Sequence, residues 1–148
     1  MRLAISLSAF EAGAEVSEES FGLLRRLALF GPLPVAMIEN LALRAQRGNF
    51  DAGTDIIAQG DEATGFYVIE DGSVEVYVDG ALRREEGVGE YFGEIALLRG
   101  GPRTATVRAA TPVRALALER EDFLDGIGAH ARSAGAAEAV VVERLAAV

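Results

Sequence analysis

The sequence predicts a mainly β fold with flanking helices, in which an antiparallel barrel or sandwich forms the centre. Two observations carry this prediction. Short apolar segments recur about every ten residues between residues 50 and 118, and glycine-containing turns separate them. Segments with a helical spacing of apolar residues precede and follow this region. The 148 residues suit one domain, and a hydrophobic share of 50% is enough to bury a core.

Two helices are predicted within residues 20–47. Ser20 is a candidate N-cap for the first helix, and the segment Gly31–Pro34 interrupts the helical pattern. Pro34 suits the first turn of the second helix, which is expected to end near Gly48.

The barrel is predicted at residues 50–118. Period-two alternation is clearest at Val74, Val76 and Val78, and the pair Asp79-Gly80 that follows is a hairpin signal. Further strands are predicted at residues 56–57, 66–69, 104–108 and 113–118.

Helices are predicted again after the barrel, at residues 121–127 and 136–147, and together they make up the C-terminal helices 121–147. Residues 1–19 are expected to be a weakly structured N-terminal segment. The predicted domain therefore comprises residues 20–148.

The composition excludes several classes of site. The chain has no cysteine and a single histidine, His130, so thiolate and multi-histidine metal sites are excluded and no metal is expected. The net charge is −9, and residues 51–100 hold twelve acids against three arginines, which argues against a nucleic-acid partner. No apolar run reaches the roughly 20 residues of a membrane-spanning helix. His130 is interpreted as a surface or packing residue, and the acidic pairs Asp61-Glu62 and Glu85-Glu86 as solvated turns.

One stretch, residues 91–107, interrupts the β pattern. Gly93 permits a tight approach or a positive φ, and the residues from Glu94 to Leu98 can form one or two helical turns. The turn Gly100-Gly101-Pro102 then places Arg103 at the start of a strand. A helix start and a nearby arginine together suit a small anion such as a phosphate.

The same residues also have an explanation without a ligand. A glutamate in the first turn stabilises a helix by itself, so Glu94 does not require a bound molecule. Arg103 could pair with Glu94, and a Gly-Gly-Pro sequence is an ordinary turn. The residue types alone leave both interpretations open.

The sequence FGEIALL, followed by PRTATV, resembles the phosphate-binding cassette of the cyclic-nucleotide-binding domain. This family includes the regulatory subunits of cAMP-dependent kinase, the bacterial catabolite activator protein and cyclic-nucleotide-regulated channels. The similarity spans about residues 23–125 and includes the glycine-punctuated strands upstream. It implies a jelly-roll barrel (a double-stranded β-helix) with N-terminal helices and a C-terminal lid helix.

The resemblance implies a role for each residue of the cassette. Arg103 is expected to pair with the charge of the cyclic phosphate, and Glu94 to accept a hydrogen bond from the ribose 2′-hydroxyl. The residues expected to line the sugar-phosphate through backbone groups are Gly93, Ile95 and Ala96. The backbone N–H of Ala105 is expected to reach the phosphate. Thr104 can contact the 2-amino group of a syn guanine in this family, so the ligand is expected to be cAMP or cGMP.

The expected function is that of a sensor without catalytic activity, in which the bound nucleotide repositions the C-terminal helices to control an effector. The base is expected to be capped by Val140, Val141, Leu145 or Arg144. The effector is a fused domain or a separate protein, with a membrane transporter or channel among the candidates, and a homodimer is left open. The resemblance implies a cytoplasmic location, including the cytoplasmic tail of a membrane protein. The alternatives are a degenerate barrel that serves packing or dimerisation, and an enzyme that uses the cyclic phosphate as its substrate.

Overall fold

A computed structural model describes residues 10–11, 18–128, 135, 138–141 and 144. Two helices, α1 (Glu18–Arg26) and α2 (Val35–Arg44), precede most of the strands. A short helix, α3 (Glu94–Arg99), lies between strands, and α4 (Arg120–Gly128) follows the last one. Residues 135, 138–141 and 144 are helical, and we call them the C-terminal helical segment.

Nine strands are described. They are β1 (Phe10–Glu11), β2 (Gln46–Phe50), β3 (Asp55–Ile57), β4 (Gly65–Asp71), β5 (Val74–Val78), β6 (Ala81–Glu86), β7 (Tyr91–Phe92), β8 (Thr106–Ala109) and β9 (Val113–Glu119). They form a five-stranded sheet in the order β1-β2-β9-β4-β7 and a four-stranded sheet in the order β3-β8-β5-β6. Every pairing between them is antiparallel. The predicted class, mainly β with flanking helices, is confirmed, but within the described residues the barrel is two sheets rather than one closed sheet.

The N-terminal helices differ from the prediction at their ends. Helix α1 begins at Glu18, and Ser20 lies buried inside it, where its hydroxyl accepts a hydrogen bond of 3.4 Å from Arg47. Helix α2 ends at Arg44 rather than near Gly48, because the chain from Gln46 onward pairs with β9. A strand in the five-stranded sheet therefore replaces the last predicted helical turn.

The terminal predictions fall largely outside the described residues. Of residues 1–17, the structure describes the strand β1, in which Phe10 pairs with Gly48 of β2. The rest of the predicted N-terminal segment, His130, and the residues of 136–147 other than 138–141 and 144 lie outside the described residues. No described helix is both long enough and apolar enough to cross a membrane.

Strand β4 is buried on both faces and separates two apolar clusters. Phe66 packs on the outer face, stacked on Phe123 of α4 at a centroid distance of 4.6 Å, with Phe30 edge-on to both rings. Tyr67 points between the two sheets and stacks on Phe92 at 5.1 Å. Such aromatic pairs contribute about 0.5–1.5 kcal/mol each beyond the apolar area they bury. The helices are thereby fixed to the outer face of the five-stranded sheet, and the inner face is left to the site.

Candidate functional site

The site begins at Gly93, the residue that precedes α3. Its φ angle is +95°, in the left-handed region that favours glycine. A Cβ atom at this position would lie 3.0 Å from Nη1 of Arg103 and 3.0 Å from the carbonyl oxygen of Gly65. Glycine is therefore required here both by the backbone conformation and by the close approach of two other chain segments.

Arg103 lies in the loop before β8 rather than at the start of the strand. Its backbone N–H donates to the carbonyl of Asp61, and its own carbonyl accepts from the N–H of Gly60. The side chain is only 4% exposed, and it donates to the carbonyl oxygens of Gly93 at 2.8 Å and Gly65 at 2.7 Å. These two hydrogen bonds fix the guanidinium plane and join the cassette loop to β4.

No described carboxylate forms an ion pair with Arg103. Burial lowers the pKa of its guanidinium, and Tyr67, Glu94 and Asp61 act in the opposite direction, but an arginine stays protonated in a protein. Among the described residues, Arg103 makes no ion pair within 4.0 Å. A buried, oriented guanidinium without a carboxylate partner is a binding group for an anion.

Glu94 is the first residue of α3, and its side chain is completely buried. Its Oε1 accepts a hydrogen bond of 3.3 Å from Nη1 of Arg144, and Oε2 lies 3.2 Å from the same nitrogen. Oε2 has no hydrogen-bond partner among the described residues. Burial raises the pKa of Glu94, and Arg144 opposes this shift. The explanation in which Arg103 simply pairs with Glu94 is therefore wrong, because the ion-pair partner of Glu94 is Arg144.

One cavity brings all the predicted site residues together. Its lining includes Gly93, Glu94, Ile95, Ala96, Arg103, Thr104 and Ala105. Thr104 is exposed at its edge, whereas Ala105 is half-buried. The cavity volume is about 30 Å³, which is room for a water molecule or two and not for a drug-sized ligand. In the described part of the chain, no three potential metal-ligating side chains converge here or elsewhere.

Arg84 of β6 also lines the cavity, its neighbour Glu86 contacts it from outside the lining, and the sequence interpretation missed both. Glu86 is only 3% exposed, and its Oε2 accepts a 2.9 Å hydrogen bond from Nε of Arg84. The interpretation of Glu86 as part of a solvated turn is therefore wrong, whereas its neighbour Glu85 is exposed. The predicted hairpin gave no signal for this, because an irregularity between Val76 and Tyr77 shifts the register so that Val74 pairs with Glu86 and Val76 with Arg84. Residues opposite buried valines point to the same buried face.

Arg144 closes the cavity from the C-terminal helical segment. Its Nη1 lies 3.3 Å from Oε2 of Glu86 and 3.2 Å from Oε2 of Glu94. Its guanidinium also lies over the ring of Tyr91, 4.5 Å from the centroid. Of the three predicted capping residues that the structure describes, Arg144 lines the cavity. Val141 is buried and Val140 packs against the helical core, while residue 145 lies outside the described residues.

The comparisons with known proteins now identify the family. A family model described as "Cyclic nucleotide-binding domain" matches residues 47–130, which is more than half of the chain. This chain belongs to the cyclic nucleotide-binding domain family. The match covers the strands from β2 onward, the cassette and α4.

Two curated relatives are similar over most of this domain. A cAMP-dependent protein kinase regulatory subunit of Yarrowia lipolytica is 38% identical over 76% of this chain and 31% of its own length. A cGMP-dependent 3′,5′-cGMP phosphodiesterase A of Dictyostelium discoideum is 32% identical over 81% of this chain and 14% of its own length. The chain thus spans less than a third of the length of each relative.

Solved structures share the fold of the domain. The regulatory domain of Toxoplasma gondii protein kinase A, solved with cAMP, is 31% identical at a TM-score of 0.68 and covers 72% of this chain and 42% of its own. The regulatory subunit of a cAMP-independent protein kinase A from Trypanosoma brucei is 28% identical at a TM-score of 0.69, over 75% of this chain and 41% of its own. Because one is described with cAMP and the other as cAMP-independent, the residues of the site must decide the ligand.

Proposed function

We propose that this domain is a cyclic-nucleotide sensor whose ligand, cAMP or cGMP, binds in the cassette cavity. One observation carries the proposal above the others. Arg103 and Glu94 are both buried in one cavity without pairing with each other, so a cation and a hydrogen-bond acceptor face the same space. A cyclic nucleotide presents the complementary pair, an anionic phosphate and a ribose hydroxyl.

Arg103 binds the phosphate in this proposal. Its guanidinium is held by the carbonyls of Gly93 and Gly65, so little rotamer entropy remains to be lost when the anion binds. A hydrogen bond between charged partners contributes about 1.5–3 kcal/mol when it is desolvated. The domain as a whole carries a net charge of −9. Affinity for the anion must therefore come from this close contact rather than from long-range attraction.

Glu94 accepts the ribose 2′-hydroxyl, which is a donor and needs an acceptor without a proton of its own. Its Oε2, which has no hydrogen-bond partner among the described residues and lies 3.2 Å from the guanidinium of Arg144, becomes available for this role when Arg144 is displaced. The backbone of Gly93, Ile95 and Ala96 lines the sugar-phosphate, the N–H of Ala105 faces the phosphate, and Thr104 lies at the exposed edge. These assignments follow the family cassette and agree with the lining of the cavity.

The small volume of the cavity supports a coupling between the ligand and the C-terminal helices. A nucleotide does not fit in about 30 Å³ and Arg144 lines this cavity, so in this proposal the ligand displaces Arg144 together with the segment that carries it. The nucleotide shifts the position of this segment by its difference in affinity for the two arrangements. The proposed signal is therefore a displacement of the C-terminal helices, without any chemical change of the nucleotide.

The effector in this proposal is a domain or protein that contacts the displaced helices, and a transporter, a channel or a kinase subunit is a candidate. The location is proposed to be cytoplasmic, and nucleic acid is not among the proposed partners. A homodimer stays among the possible assemblies.

Calorimetric titration of the whole chain with cAMP, cGMP, 2′-deoxy-cAMP and 5′-AMP tests the proposal. We expect binding of at least one cyclic nucleotide, with the deoxy analogue weaker by about tenfold or more because Glu94 loses its donor. The open-ring 5′-AMP should bind more weakly than cAMP. Absence of any heat at millimolar cAMP and cGMP would favour the degenerate barrel, and loss of the cyclic nucleotide during incubation would favour the enzyme.

A further inference from the structure

A second buried carboxylate lies behind Arg84 and Arg144, two residues that line the cavity, and it has no role in the function proposed above. Glu86 is 3% exposed, and its Oε1 has no hydrogen-bond partner among the described residues. Its other oxygen, Oε2, accepts from Arg84 and lies 3.3 Å from Nη1 of Arg144. An unpartnered acceptor in a buried position costs free energy unless something else satisfies it.

The position of Glu86 places it next to Glu94 and away from the phosphate group. Both carboxylates lie within 3.3 Å of the same nitrogen of Arg144. Among the described residues, Glu86 makes no ion pair with Arg103, the proposed phosphate-binding residue. In a 3′,5′-cyclic nucleotide, the carbon that bears the 2′-hydroxyl lies between the carbon that bears the phosphate and the carbon that bears the base. With the phosphate at Arg103 and the 2′-hydroxyl at Glu94, the group next to Glu94 and away from the phosphate is therefore the base.

The contacts of Arg144 show which kind of chemical group can bind at this end of the cavity. A planar N–H donor approaches both carboxylates there and stacks over the ring of Tyr91. An amino group on a purine is also a planar N–H donor attached to a flat π system. The base can therefore take the place of the guanidinium when the C-terminal helical segment moves away.

We propose that Glu86 is a specificity-determining residue that accepts a hydrogen bond from the exocyclic amine of the purine base. This inference rests on the proposed function, because it requires the nucleotide to bind at Arg103 and Glu94. A carboxylate accepts hydrogen bonds and cannot donate them, so it favours an amino group over a carbonyl at the same position. This amine is either the 6-amino group of adenine or the 2-amino group of guanine, and the experiment below distinguishes the two.

The experiment compares cAMP and cGMP with one analogue that lacks the exocyclic amine of each. Inosine 3′,5′-cyclic monophosphate has a 6-oxo group where cAMP has its amine, and it lacks the 2-amino group of cGMP. The wild-type chain and the variants Glu86→Leu and Glu86→Gln are titrated with all three, and the readout is the ratio of dissociation constants between an amine-bearing nucleotide and the inosine analogue. Glu85→Leu is the matched control, because Glu85 is the exposed neighbour on the same strand.

The ratio separates base recognition from other effects of the substitution. Loss of Glu86 also removes a partner of Arg144, which changes the affinity for all three nucleotides by a common factor. In the wild type we expect one amine-bearing nucleotide to bind about 10- to 100-fold more tightly than the inosine analogue, the range of a charge-assisted hydrogen bond. This preference should fall to within about threefold in Glu86→Leu, fall partly in Glu86→Gln, and persist in the control.

Each outcome decides the proposal. A preference for cAMP that Glu86→Leu removes assigns the 6-amino group, and a preference for cGMP assigns the 2-amino group. If Glu86→Leu does not fold, as judged by thermal unfolding, the isosteric Glu86→Gln carries the test with its partial loss. A wild type that binds all three nucleotides equally, or a preference that survives in the folded Glu86 variants, would overturn this inference and leave the proposed function standing. A wild type that binds none of the three would overturn both.

Discussion

Arg103 donates a 2.8 Å hydrogen bond to the carbonyl oxygen of Gly93, the residue that precedes Glu94. The proposed phosphate-binding cation is thus fixed to the backbone that presents the proposed ribose-binding acceptor. Any change in the conformation of Gly93 should move both groups together, so the geometry of the site depends on a residue without a side chain.

Gly93→Ala is expected to lower the free energy of unfolding by about 2–3 kcal/mol and to abolish measurable cyclic-nucleotide binding. The new Cβ would combine a left-handed φ with a 3.0 Å approach to Nη1 of Arg103. Chemical denaturation and calorimetric titration measure the two effects. Gly89→Ala is the matched control, because Gly89 also has a positive φ, +86°, but open space around it. The control should lose about 1 kcal/mol and keep its affinity for the nucleotide. Equal losses in both variants would show that the close packing around Gly93 is unimportant.

Arg103→Lys is expected to weaken cyclic-nucleotide binding by at least about tenfold, although the positive charge is kept. An ammonium group does not reproduce the planar fork that bonds both Gly93 and Gly65. The variant should also unfold at a lower temperature, because at least one buried carbonyl loses its donor. Arg108→Lys is the control, since Arg108 pairs with Asp55 at an exposed position. Unchanged affinity in Arg103→Lys would mean that Arg103 does not contact the phosphate.

The cassette could be predicted from the sequence because its chemistry is local. Gly93 and Glu94 are adjacent, and only a short helix and a turn separate them from Arg103. A few residue types at fixed spacing therefore bring all three to one cavity. The β hairpin after Val74 was predictable for the same reason, from alternation and the Asp79-Gly80 turn. These features depend on the period of apolar residues and on the residue types of the turns, and both can be read from a single sequence.

The parts that could not be predicted depend on long-range packing. Arg144 reaches Glu94 across 50 residues, and its helix shows no strong amphipathic pattern to indicate which residue points inward. The end of α2 was misplaced because pairing of Gln46–Phe50 with β9 overrides the local helical pattern. Glu86 was assigned to the surface by its residue type, whereas its register opposite Val74 decides its burial.

Glu94 is expected to make the stability of the ligand-free chain fall as the pH rises. Burial raises the pKa of Glu94 above its ordinary value of 4.5, so the folded state holds a proton at pH values where the unfolded chain has lost it. The stabilisation is full below the ordinary value and is lost as the pH rises through the raised pKa. Urea denaturation of the wild type and Glu94→Gln across this range measures the difference, and Glu94→Gln should give the flatter profile. Glu85→Gln, at an exposed position of the same chain, is the matched control for the loss of one carboxylate. Identical slopes in the wild type and Glu94→Gln would show that the pKa of Glu94 is not raised.

Arg144→Ala is expected to increase the affinity for cyclic nucleotide on the order of tenfold, because the ligand no longer has to displace the guanidinium from Glu94 and Glu86. The same substitution should destabilise the ligand-free chain at neutral pH, since two buried carboxylates lose a shared cation. Titration calorimetry and thermal unfolding measure these opposite effects, with Arg108→Ala as the control for loss of an arginine outside the site. A weaker affinity in Arg144→Ala would contradict the displacement and would show instead that Arg144 stays in the site and stacks on the bound base.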